Sequence, residues 1–120
     1  MKRLIVTSIT ALALAASVVY AAESKINSIM KDNMKGDTST YKMVATGKGS
    51  DADAQKLLDA VKELPACKPP KGDAASWKTK TEALVKAAQD VVAKKPGAQA
   101  ELQKAGNCKA CHSEHKAPKQ

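Results

Sequence analysis

The residues best equipped for chemistry lie near the end of the chain, in Asn107-Cys108-Lys109-Ala110-Cys111-His112. A Cys-x-x-Cys-His sequence on a helix puts its two thiols three residues apart, on one face, with the imidazole beside them. Thiols at that spacing can reach the two vinyl groups on adjacent pyrroles of one haem and form thioethers. The imidazole that follows is then delivered to the iron. The expected cofactor is one covalent haem c attached to Cys108 and Cys111, with His112 as the proximal axial ligand.

Other chemistries use the same residue types. A thioredoxin-like Cys-x-x-Cys opens a helix that follows a strand, and no segment of this chain alternates with the period of a strand. A zinc site built from Cys108, Cys111, His115 and Cys67 has enough ligands but leaves His112 without a role. A disulfide between residues three apart in a helix is strained. Cys67 is the odd thiol, free to be buried or to pair with a second chain. His115, one turn beyond His112 and near the tail, is expected in solvent.

The start of the chain supports the haem reading. Lys2 and Arg3 precede an almost wholly apolar run from Leu4 to Val19, and Val19-Tyr20-Ala21 places small residues where a signal peptidase cuts. Residues 1–21 are expected to be a signal peptide, and 22–120 the mature domain. The apolar run is shorter than the roughly 20 residues a membrane span needs, so no stable span is expected after cleavage. Haem is attached to such motifs outside the cytoplasm, so a periplasmic or otherwise exported location and the motif agree.

Cleavage removes Lys2 and Arg3, so the 20 basic residues become 18 against 12 acidic ones, a formal charge of +6. No Arg remains for bidentate phosphate or base contacts, the lysines are scattered, and only Tyr41 and Trp77 can stack on a base. Nucleic acid is excluded as a partner on that ground, and an acidic redox protein suits the charge better. The mature part has no Phe, one Tyr and one Trp. A small domain with so thin a core needs a staple, and a buried porphyrin would serve.

The elements that must position the motif are helices. Residues 23–35 carry Ile26, Ile29 and Met30 on one face, with Asn33 and Met34 a turn on and Gly36 as a stop. Residues 37–50 read as a loop with Tyr41, Met43 and Val44 packed beneath it. Ser50 or Asp51 caps a second helix through Leu64, which Pro65 ends. Pro65 to Gly72 holds three prolines and is irregular. After Ser76, the positions Trp77, Thr81, Leu84, Val85, Ala88, Val91 and Val92 trace the strongest amphipathic stripe in the chain. Trp77 reads first as core, with the porphyrin face as its other possible neighbour. Pro96-Gly97 breaks this helix, and a fourth, from Ala98 to about His115, carries Leu102, Ala105, Cys108 and His112 along one side. The expected fold class is all-α, an antiparallel four-helix bundle with covalently bound haem.

A Cys-x-x-Cys-His motif close to the C-terminus of a four-helix chain resembles the class II c-type cytochromes, the cytochrome c′ family. The resemblance covers the mature chain in architecture and residues 98–116 and 26–31 in motif. Ala105-Gly-Asn-Cys-Lys-Ala-Cys-His112 is similar to the family's haem-binding helix. In that family the first helix faces the open side of the iron. Its low-spin branch places a Met there, in a pattern like Arg-Gln-x-x-Met-Lys, and its gas-binding branch an apolar residue that does not ligate. Ile26-Asn-Ser-Ile-Met30-Lys31 fits that frame, with Ile26 where the family has Arg. The resemblance thus implies Met30 as the distal ligand, with Met34 as runner-up one turn on; either Met can equally be core filler. It implies one-electron transfer through a His/Met-ligated haem, with no enzymatic turnover and with redox proteins as partners. The alternative it carries is a five-coordinate protein that binds nitric oxide, and a homodimer, usual in the family, is compatible with the chain. A zinc or thiol-redox module is the third reading.

Overall fold

The computed structural model describes residues 25–117. The expected signal peptide, its cleavage site and the last three residues lie outside them. The described chain is all-helical, with no strand among the described residues.

Helix α1 covers residues 25–34, regular over 25–29 and continuing as a π-helical turn over Met30–Met34. Ile26, Ile29 and Asn33 are buried, whereas Met30 and Met34 are only half-buried. Gly36, at φ 93°, takes the chain out of the helix in a conformation that a side chain would oppose. The segment expected to be a loop contains a short helix, α2 (Thr40–Ala45), capped by Ser39, whose Oγ accepts from the Lys42 amide at 3.1 Å. Six residues are too few to show a helical period, so the cap was the only local signal. The expected packing of this segment is present: Tyr41 and Val44 are buried and Met43 is half-buried.

Helix α3 (Asp51–Val61) opens on a reciprocal cap. Ser50 Oγ accepts from the Asp53 amide at 3.2 Å, while Asp53 accepts from the Ser50 amide at 2.9 Å. Those bonds hold the Asp53 carboxyl below its ordinary pKa. The helix ends three residues earlier than expected, and Leu64–Ala66 forms a 3₁₀ turn instead. Helix α4 (Ala74–Val92) starts ahead of the expected Ser76 because Asp73 caps it, its carboxylate 3.4 Å from the Ala75 amide. Helix α5 (Ala98–Ala105) and helix α6 (Cys108–His115) replace the single fourth helix of the sequence reading. Gly106 and Asn107 interrupt it, and Asn107 Oδ1 accepts from the Ala110 amide at 3.2 Å. An Asn that can cap a new helix competes with continuation of the old one.

Helix α4 is the centre of the packing. It lies against α3 and α5, and α2 bridges α3, α5 and the π-helical turn of α1. Leu57, Val61, Leu64 and Leu102 are wholly buried, and Trp77 and Tyr41 are the aromatics packed with them. Its indole N–H donates to the Leu64 carbonyl at 3.1 Å, so the tryptophan is anchored and its polar atom satisfied. Among the described residues, no helix is long and apolar enough to cross a membrane.

Candidate functional site

The break at Gly106-Asn107 places the motif at the start of its own helix. Asn107 caps α6, Cys108 follows at its first position, and Cys111 and His112 come one turn later. The approach to this point is tight. A Cβ on Gly106 would collide with the ring and hydroxyl of Tyr41, which is buried and donates to the Leu102 carbonyl at 3.4 Å. Gly106→Ala is expected to cost about 1–3 kcal/mol through this overlap, measured as a lower denaturant midpoint. Adding Tyr41→Leu should recover part of the loss if the overlap is its cause.

Cys108 is exposed and Cys111 half-buried. Burial raises the Cys111 pKa, with the Lys80 charge opposing it. Desolvation lowers the His112 pKa, and the charge of Lys116 adds to this. The neutral imidazole that a metal requires is therefore the favoured form near neutral pH. The ring is largely exposed, so this preference is modest.

These three side chains open onto a cleft of about 1030 Å³ between α1, α4 and α6. Its far wall is α1, which contributes Ile26, Met30 and Met34, and Trp77 and Leu84 line it from α4. Residues some 80 positions apart in the chain thus face one space, including both methionines singled out as distal-ligand candidates. The π-helical turn spans Met30 to Met34, and both face the cleft while Asn33 between them turns into the core. Such turns are rare and recur at functional sites.

The size and lining of the cleft are compatible with a haem. Its volume reaches the upper end of the ~300–1,000 Å³ range typical of cofactor pockets. Its lining holds two thiols, two imidazoles and two thioethers, the kinds of group that covalent attachment and axial ligation use. Its rim carries Lys31, Lys35, Lys80, Lys104 and Lys116, and none of its lining residues is acidic. Cations at the mouth of an apolar cleft suit the two carboxylates that a porphyrin carries.

The ligand set of the zinc reading is not assembled. Cys67 is buried away from the cleft, its Sγ donating to the Glu63 carbonyl at 3.3 Å, and burial pushes its thiol pKa up. Among the described residues, no three His, Cys, Asp or Glu side chains are grouped to hold a metal ion. His115 requires a correction. It was expected in solvent and is instead 2% exposed, turned into the core against Trp77. The sequence reading also missed the lysine rim, because its members come from four separate segments. The helix break was signalled by Gly106-Asn107 but lost within the longer apolar pattern.

No protein-family model, curated protein or solved structure matches the chain.

Proposed function

We propose that this chain is an exported, single-haem c-type cytochrome of the antiparallel four-helix kind, resembling class II c-type cytochromes, and that it transfers single electrons. The observation that carries the reading is the convergence of Cys108, Cys111 and His112 with Met30 on one haem-sized cleft. Bound haem supplies a one-electron ferric/ferrous couple.

The chain's own residues account for the rest. Cys108 and Cys111 would anchor the group by thioethers, and His112 would hold its iron. Met30 offers a soft sulfur from the opposite wall, and a thioether ligand favours the ferrous state. Trp77, Leu84 and Ile26 line the cleft and would exclude water from a bound group. Lys31, Lys35 and Lys116, for which no ion pair is found among the described residues, leave positive charge at the mouth. Lys80 and Lys104 are partly offset by Glu114 and Glu101, at 3.5 and 3.8 Å. A mouth of one sign favours an acidic redox partner and makes the encounter rate fall with ionic strength.

The test is made on protein from cells that export it and attach haem. Its mass is expected to equal residues 22–120 plus one haem, and its colour to survive denaturation and acid-acetone extraction. Haem that extracts freely, or a mass without the haem increment, overturns the reading.

A further inference from the structure

Helix α6 carries every residue proposed to attach the haem, yet little holds it in place. It has only about two turns, too few to be stable alone, and no other helix packs broadly against it. Of its eight residues only His115 is buried.

What surrounds His115 is specific. Its Nδ1 lies 3.1 Å from the Lys71 carbonyl, which can only accept, so Nδ1 carries a proton and donates it. Its Nε2 lies 3.2 Å from Ser76 Oγ, and Ser76 donates to a Glu114 carboxylate oxygen at 2.6 Å. That bond, with Lys80 beside it, keeps Glu114 ionised below its ordinary range. The ring stands edge-on to Trp77, with centroids 5.4 Å apart and an interplanar angle of 73°. The loop before α4 closes over the imidazole at Gly72, where φ is 91° and a Cβ would sit 2.5 Å from Nδ1 and 2.6 Å from the Glu114 carbonyl oxygen. Backbone carbonyl, hydroxyl, aromatic edge and a glycine contact converge on one side chain from the single stretch of residues 71–77.

We propose that His115 is the positioning residue of α6: held by Lys71, Ser76 and Trp77, it fixes the roll of the helix and so the direction in which His112 faces the cleft. The inference rests on the reading of His112 as an iron ligand. Successive residues turn by about 100° on an α-helix, so His112, three positions earlier, sits about 60° round from His115 and one turn toward the helix start. With His115 pinned beneath Trp77, His112 is left facing the cleft. Without the pin, the roll of α6 is left to its cap, to the thioethers at Cys108 and Cys111, and to the exposed contacts of Glu114 with Ser76 and Lys80.

The experiment compares wild type with His115→Phe, which keeps a buried aromatic ring but neither polar contact, and with His115→Asn, whose amide can still donate to the Lys71 carbonyl. Gly72→Ala displaces the same ring from the other side. All are isolated as exported product from haem-attaching cells. The mass reports first whether haem is present, which decides the functional reading separately. Amide exchange over residues 108–115 is expected to be about tenfold faster in His115→Phe and Gly72→Ala, with α3 and α4 unchanged and His115→Asn nearer to wild type. In haem-bearing protein, the hyperfine-shifted haem methyl resonances of the ferric state are expected to be reordered in His115→Phe, because they follow the plane of the axial imidazole. Unchanged exchange over 108–115, or an unchanged methyl pattern despite a lower melting temperature, overturns the proposal. Protein without haem removes the functional reading, and the exchange data still decide whether His115 pins the helix.

Discussion

Replacing both Cys108 and Cys111 by Ala is expected to give a protein with no covalent haem and no sharp thermal transition. The physical ground is the balance between core and cleft. The buried core is built of Ala, Val, Leu and Ile with one Trp and one Tyr, while the cleft between α1, α4 and α6 has about 1030 Å³ to fill. A space of that size lined by Ile26, Trp77 and Leu84 gains its apolar contacts from an occupant, and these are lost when the occupant is lost. α1 and α6 form two of the cleft walls and are expected to loosen first, with α3 and α4 retaining helix content. Circular dichroism melts of the variant and of the haem-bearing protein check this. A cooperative transition near that of the haem-bearing protein would show that the polypeptide core suffices by itself.

Met30→Ala is expected to convert a six-coordinate, low-spin iron to high spin. It should lower the reduction potential as well, since a ligand that favours the ferrous state has gone. Carbon monoxide and nitric oxide should then bind quickly where wild type binds them slowly. Met34→Ala should do much less, although both side chains line the cleft. The visible spectrum of the ferric protein, including the weak sulfur-to-iron band near ~695 nm expected of Met ligation, reports the change directly. If the spin change follows Met34→Ala instead, the ligand lies at the other end of the π-helical turn. If wild type is already high spin and binds gases at once, the protein is a five-coordinate gas binder, and electron transfer through a Met-ligated haem is wrong.

The candidate site residues at the end of the chain were legible locally because they are close in sequence. Cys108, Cys111 and His112 declare themselves by spacing, and the stripe from Trp77 to Val92 declares the long central helix, because a period sustained over four turns is a strong local signal. The all-helical class followed from the same periodicity and from the lack of alternation. Boundaries were less legible. The helix break before Cys108 turned on whether Asn107 would cap a new helix or lie inside an old one, and the start of α4 turned on Asp73 against Ser76. In each case two local signals competed, and packing chose between them.

Other features arise only when distant segments meet. Leucine is buried by its nature, but nothing in Ser-Glu-His reveals that His115 will meet Lys71, Ser76 and Trp77, residues some 40 positions earlier. A histidine near a chain end is ordinarily solvated, and it is the closure of the proline-rich loop at Gly72 that makes this one a core residue. The lysine rim is likewise invisible in a chain whose lysines are evenly scattered, since its unity of sign is a property of the fold. By itself, then, the sequence determined which atoms can bind and which segments coil, because both depend on neighbours within a few residues. The tertiary structure alone decided that Met30 and Met34 share a cleft with His112, that His115 is buried beside it, and that the mouth is positive, because each of these depends on contacts between residues far apart in the chain.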